Sequence, residues 1–190
     1  MIEAKHGSDV ALAKRRQEIV SVRSGIALGS NLGDRLGNLR EAFERVLVLN
    51  QPSAQVLFSS IYETSPIGSK PGTPFYLNAV LEIDFREAPI TLLKQVLEIE
   101  RTMGRPSRRP RNASRLIDLD ILYIGDLVLN DPEITVPHPR LSERRFVLAP
   151  LAEFAPDLVL PGQNVSVAEL LTRLADPGKV VRIASTLKRP

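Results

Sequence analysis

The sequence predicts an α+β fold of ferredoxin-like type. This is a two-layer sandwich with an antiparallel-rich sheet, helices on one face, an accessory hairpin and a C-terminal helix. Three observations predict it. Strand-like and helix-like segments follow the order strand, helix, strand, strand, helix, strand, a split β-α-β pattern. Both helical segments carry one apolar stripe, as helices covering a sheet do. The last strand, residues 115–123, is mostly branched or aromatic and free of Gly and Pro, as an inner strand should be.

Residues 1–23 hold Lys5, Lys14, Arg15, Arg16 and Arg23 with few large apolar side chains. They are expected to be a basic, mobile extension, with a short helix over residues 10–19 capped by Asp9. Glu3, Asp9 and Glu18 argue against a transit peptide, and no long apolar core marks a secretory signal. One domain is expected over residues 24–176. Residues 25–28 read as its first strand, and G-S-N-L-G-D at 29–34 as a tight turn with Asp34 as N-cap. Leu36, Leu39, Phe43, Val46 and Leu47 then recur at helical spacing over residues 35–49. The turn lacks the G-x-x-x-x-G-K-[ST] phosphate signature and its acidic cap would repel a phosphate, so a plain connection is the preferred reading.

Residues 55–62 read as the second strand, residues 63–74 as a Pro- and Gly-rich loop, and residues 75–85 as the third strand. On that strand Tyr76 and Asn78 share a face. Leu92, Val96, Ile99 and Met103 mark a second helix over residues 89–103, ended by Gly104. An Arg-rich loop over residues 105–115 leads into the last strand. Beyond it, Gly125 and Asp126 predict a hairpin turn into residues 127–129, and residues 146–148 a short strand. S-V-A-E at 166–169 is a capping box opening a final helix through Leu174. Residues 177–190 are expected to be a peripheral tail.

Composition narrows the function. The 190 residues are 43% hydrophobic and 25% charged, enough for one domain with a real core. The absence of Cys excludes disulfides, thiol catalysis and Cys-type zinc sites. No apolar run reaches bilayer length, so no membrane partner is expected, and the lack of Cys fits the expected reducing cytoplasm. The net charge of +3 is mild, but Arg101, Arg105, Arg108, Arg109, Arg111 and Arg115 crowd one segment.

That segment runs into Asp118 and Asp120. A strand has a period of two, so both carboxylates leave the sheet on one face. Two like charges there repel and lose hydration. Either nearby Arg residues offset the cost, or a divalent cation does; oxygen-only ligands suit Mg2+ or Mn2+. Asn78 has the donors and acceptor to read the edge of a heterocycle, and Tyr76 a flat face to stack on one. P-H-P at 137–139 holds His138 between two prolines, beside Arg140, Arg144 and Arg145. His138 is either a structural residue or a donor to phosphate. Glu100, near the negative end of its helix, needs a ligand or an Arg to hold it. Carboxylates, Arg residues and a rigid His together fit phosphoryl transfer. A nucleic-acid-binding domain is the rival class, but the chain lacks an RNP1-type aromatic strand and the Asp pair would repel a phosphate backbone.

Several blocks resemble one family in order and spacing. They are A-L-G-S-N-L-G-D at 27–34, Y-E-T-S-P-I-G at 62–68, Y-L-N at 76–78, R-L-I-D-L-D-I at 115–121, V-P-H-P-R at 136–140 and R-R-F at 144–146. The family is 6-hydroxymethyl-7,8-dihydropterin pyrophosphokinase of the folate pathway, and the resemblance covers residues 25–162. It implies an ATP-dependent diphosphotransferase that passes the terminal pyrophosphoryl unit of ATP to the pterin hydroxymethyl oxygen and releases AMP. It implies two Mg2+ ions on Asp118 and Asp120. By the same resemblance, Arg105, Arg115 and Asp120 act in catalysis, with Asp120 a candidate general base. Thr64, Ser65, Ile67, Tyr76, Asn78 and Phe146 would bind the pterin. Glu100, Arg105, Arg115, Ile121, Thr135, His138 and Arg144 would bind the nucleotide. The expected partners are these two small molecules, without nucleic acid, and the expected state is a monomer. The chain departs from the family in having N-A-S before Arg115, Ser107 in the loop, Leu97 in the second helix and Pro139 after His138.

Overall fold

The computed structural model describes residues 21–66, 71–104, 114–175, 178–183 and 186–188. The expected helix over residues 10–19, and Ile67, Arg105, Ser107, Arg108, Arg109, Arg111 and Asn112, lie outside them. Eight strands are described: β1 Val22–Ser30, β2 Leu57–Phe58, β3 Tyr62–Thr64, β4 Tyr76–Phe85, β5 Asp118–Ile124, β6 Leu129–Asn130, β7 Thr135–Val136 and β8 Val180–Arg182. Four α-helices accompany them: α1 Arg35–Leu47, α2 Pro89–Thr102, α3 Arg145–Phe154 and α4 Val167–Arg173. The main sheet runs β5-β1-β4-β3-β8, with β2 also beside β4, and every pairing in it is antiparallel.

Strand parity sorts the core into two layers. Ala79, Leu81 and Ile83 of β4 face one side, where they pack with Leu39, Phe43 and Val46 of α1 and Leu92, Val96 and Ile99 of α2. Val80 faces the other side with Leu122, Tyr123, Leu148 and Leu151. The expected sandwich is therefore present, and α3 and α4 add a third layer on its far face. The register of β5 against β1 shifts between Gly25, opposite Tyr123, and Ile26, opposite Ile121. This bulge inserts Leu122, and so turns both Leu122 and Tyr123 toward α3.

Several elements differ from expectation for identifiable reasons. The first strand starts at Val22, inside the expected extension, because Val22 pairs with Phe85 and Arg23 bridges to Glu82 at 2.6 Å. The expected second strand splits into β2 and β3. Between them Ser59 uses its side chain as well as its main chain on Val80: its N–H donates to the Val80 carbonyl and its Oγ accepts the Val80 N–H. Residues 146–148 are helical, as part of α3; Val147, Leu148 and Leu151 line one helical stripe. The turn at Gly125 does not open a hairpin with β5. Instead β6 pairs with β7 in a separate two-stranded ribbon. Within the expected tail, residues 178–183 and 186–188 are not merely peripheral, since β8 pairs with β3 and Leu187 is fully buried.

The caps follow the chemistry expected of them. Asp34 accepts from the Gly37 N–H at 2.9 Å, and Ser166 and Glu169 form the reciprocal capping box of α4. Among the described residues no helix is long and apolar enough to cross a membrane.

Candidate active site

Pairing register brings the chemistry together. On β4, Asn78 lies opposite Gly29 of β1, and Gly29 lies opposite Asp118 of β5. One residue pair along, Val80, Ala27 and Asp120 form the next cross-strand row. Asn78, Asp118 and Asp120 share the sheet face that carries Val80 and Leu122, the face covered by α3. Two strand spacings put Asn78 and Asp118 about 10 Å apart at the backbone. Gly29 keeps the floor between them low: a Cβ there would stand 3.0 Å from the Asn78 Oδ1.

Both carboxylates are partly exposed, and each has an Arg partner. Arg115 bonds Asp118, and the Arg144 Nη1 donates to the Asp120 Oδ2 at 2.9 Å. Burial works against the Arg115 charge, but Asp118, then Asp120 and Glu100, outweigh it and raise its pKa. The Arg144 guanidinium also lies over the Phe146 ring, 5.6 Å from its centroid. His138 is seated by its own N–H, which donates to the carbonyl of the bulged Leu122 at 2.8 Å. Its Nδ1 accepts the Arg140 N–H at 3.1 Å, which leaves the ring proton on Nε2, 3.9 Å from Asp120. Burial pushes the His138 pKa down and Arg144 and Arg140 add to this, against the pull of Asp120, so the ring is neutral at pH 7. The Val136–Pro137 peptide before it is cis.

On the other side of Gly29, the Asn78 Nδ2 donates to the Thr64 Oγ1 at 2.6 Å, and both residues are buried. That bond fixes the amide and leaves its oxygen over Gly29. Tyr76 pairs with Thr64 at the mouth of β4. Ser65 is committed elsewhere: its N–H donates to the Lys179 carbonyl and its Oγ accepts the Lys179 N–H.

Two predicted residues take unexpected places. Ile121 is buried on the opposite face, against α1 and α2, so its side chain takes no part in the site. Glu100 is fully buried, and its Oε1 accepts the Leu119 N–H at 2.9 Å, holding β5 between its two Asp residues. Thr135 lies on β7, in the ribbon next to β5. One organiser was missed. Buried Asn31 accepts the Arg115 N–H at 2.7 Å and donates to the Ser114 Oγ, while the Arg115 carbonyl accepts from Asn31 and Leu32. This clasp sets where β5 enters the sheet. In the sequence it looks like ordinary turn chemistry.

A family model described as 7,8-dihydro-6-hydroxymethylpterin-pyrophosphokinase (HPPK) matches residues 25–156, which includes every described residue of the site. The chain belongs to the HPPK family. Two bacterial relatives carry the name 2-amino-4-hydroxy-6-hydroxymethyldihydropteridine pyrophosphokinase. That of Haemophilus influenzae is 38% identical over 151 residues, covering 80% of this chain and 92% of the relative. That of Bacillus subtilis is 45% identical over 130 residues, covering 67% and 75%. A solved Plasmodium falciparum HPPK-DHPS (A437G, with SDX-DHP) superposes with a TM-score of 0.65 at 14% identity, over 83% of this chain. The chain spans 46% of that protein's length, and at this identity the likeness speaks for the HPPK fold alone.

Proposed function

We propose that this HPPK-family chain transfers the terminal pyrophosphoryl unit of ATP to the hydroxymethyl oxygen of 6-hydroxymethyl-7,8-dihydropterin, releasing AMP, in folate biosynthesis. The row Asn78–Gly29–Asp118 carries this reading. It puts an amide suited to a heterocycle edge and a carboxylate suited to the phosphate end on one face, with only a glycine between.

The carboxylates fit Mg2+. They are hard oxygen donors, with side chains 29% and 35% exposed. Among the described residues no group of three or more His, Cys, Asp or Glu could hold a metal ion, so an ion on this pair would need phosphate oxygens and water to complete its shell. Two carboxylates with room left for phosphate oxygens and water is how Mg2+ is commonly held. We assign two ions to Asp118 and Asp120; bound there, Mg2+ neutralises triphosphate charge and activates the phosphoryl group.

The chain's own groups supply position. The Asn78 amide, locked by Thr64, offers its oxygen to the ring edge, and Tyr76 and Phe146 offer flat faces to the ring. Arg115 and Arg144 donate to phosphate oxygens, and neutral His138 donates from Nε2. Arg105 and Ile67 keep the catalytic and ring-binding roles that the family resemblance implies. As the hydroxymethyl oxygen bonds to the β-phosphorus, the bond from that phosphorus to the oxygen bridging the α-phosphate breaks, and AMP leaves with the electron pair. The hydroxyl proton departs, with Asp120 a candidate acceptor. The reading needs two small-molecule substrates and one cytoplasmic chain.

The test is product identity. With ATP, Mg2+ and the hydroxymethylpterin, AMP and pterin diphosphate are expected in equal amounts. ADP would mean an ordinary kinase, and no turnover would mean a scaffold.

A further inference from the structure

Glu153, in the last turn of α3, has no part in the chemistry above, yet it gathers more partners than a half-exposed carboxylate needs. Its Oε2 accepts the Ser60 N–H at 2.9 Å and the Tyr62 hydroxyl at 3.1 Å, and its Oε1 accepts the Ser60 hydroxyl at 2.7 Å. The Arg182 Nη2 stands 3.5 Å from Oε1, while the Arg182 Nε donates to the Ser60 Oγ at 2.8 Å. One carboxylate thus joins α3 to the β2–β3 connection, to β3 and to β8.

Its place on the helix matters. Phe146 and Glu153 are seven residues apart, two helical turns, so they share a stripe about 10 Å long. Tyr62 sits directly opposite Asn78 in the sheet. At the other end of the helix Arg144 is tied to Asp120 on β5. The helix therefore crosses the site face from β5 to β3, pinned at both ends, with the Asn78 strand between the pins.

We propose that Glu153 is a positioning residue for ring binding, fixing α3 against β3 so that Phe146 stands at the right height over the Tyr76–Asn78 face. This rests on the ring-site reading above. Arg144 has a long, flexible side chain and can follow Asp120 if the helix shifts. Phe146 has two torsions and cannot compensate. Loss of the pin should therefore act on the ring site more than on the nucleotide site.

The experiment compares wild type, Glu153→Ala, Glu153→Gln and Tyr62→Phe, below the unfolding temperature of each. Affinity for the hydroxymethylpterin is measured by calorimetry with an unreactive ATP analogue present, affinity for the analogue separately, and kcat at saturation. Glu153→Ala should weaken ring binding about tenfold, while analogue affinity and kcat stay within about twofold. Glu153→Gln, which keeps one acceptor oxygen, should fall between, as should Tyr62→Phe; both serve if the alanine variant fails to fold. Ring affinity unchanged in every folded variant, or ring and nucleotide affinity falling together, overturns the inference and leaves the ring-site reading standing. A wild type that does not bind the ring removes both.

Discussion

At the residue scale, the site depends on which side chains share a face. Asp118→Asn or Asp120→Asn should cut turnover by about 10³-fold or more, since each removes a charge aimed at the phosphate end. Stability should change by less than about 1 kcal/mol, because the partly exposed Arg pairs are solvent-screened. Assay and thermal melt together check this; near-normal turnover in either variant would contradict it. Gly29→Ala should weaken ring binding more than nucleotide binding. The new methyl meets the Asn78 oxygen at 3.0 Å, and Thr64 keeps that amide from yielding. Equal losses for both ligands would contradict it. Glu153 supplies a pH signature. Burial pushes its pKa up, but Ser60 and Tyr62 as donors, with Arg182, bring it below its ordinary 4.5. The group therefore contributes stability above pH 4.5 that is lost as pH falls through the lower, folded value. Tyr62, raised by burial and by Glu153, stays neutral across that range. The stability gap between wild type and Glu153→Gln should be full at pH 7 and close in acid; a gap independent of pH would refute it. Asp118 and Asp120 were legible because a period of two is a property of any strand. The same parity, applied to Ile121, sends its side chain to the other face. Asn31 was not legible, because its partners at residues 114–115 are far along the chain.

At the element scale, local pattern located the long elements and failed on short apolar runs. Helix α1 announces itself by its stripe and its Asp34 cap, and α2 by its stripe and the terminating Gly104. The first residues of α3 resemble a strand, since a run such as F-V-L has no period of its own, and only the buried Leu151 one turn later decides. The two-part second strand was hidden because Ser59 replaces a ladder bond with its hydroxyl, which no propensity reports. The bulge at Leu122 depends on a glycine in the neighbouring strand. Gly25 lies between Glu82 and Tyr123, whose hydroxyl donates to the Glu82 carboxylate at 2.5 Å. A methyl on Gly25 would overlap the Tyr123 ring. Gly25→Ala should destabilise the fold by about 1–3 kcal/mol, read by denaturant unfolding. An unchanged midpoint would show that the ring has another resting place.

At the scale of the whole molecule, one sheet divides two tasks. The face under α1 and α2 is a continuous apolar core, and the face under α3 mixes a core half with the polar site. The far edge is closed by residues that look dispensable in the sequence. Strand β8 pairs with β3, Leu187 is buried, and Arg40 of α1 donates to the Thr186 carbonyl at 3.0 Å. Removing residues 178–190 should cost roughly 2–5 kcal/mol, the range for emptying a buried leucine site. A truncated chain with an unchanged melting temperature would refute that.

The most direct measurement is a crystal structure of the protein with Mg2+, an unreactive ATP analogue and the hydroxymethylpterin. Cation density within coordination distance of Asp118 and Asp120, with the ring against Asn78 on the same sheet face, is the predicted result. Cations remote from those carboxylates, or a ring bound elsewhere, would contradict it.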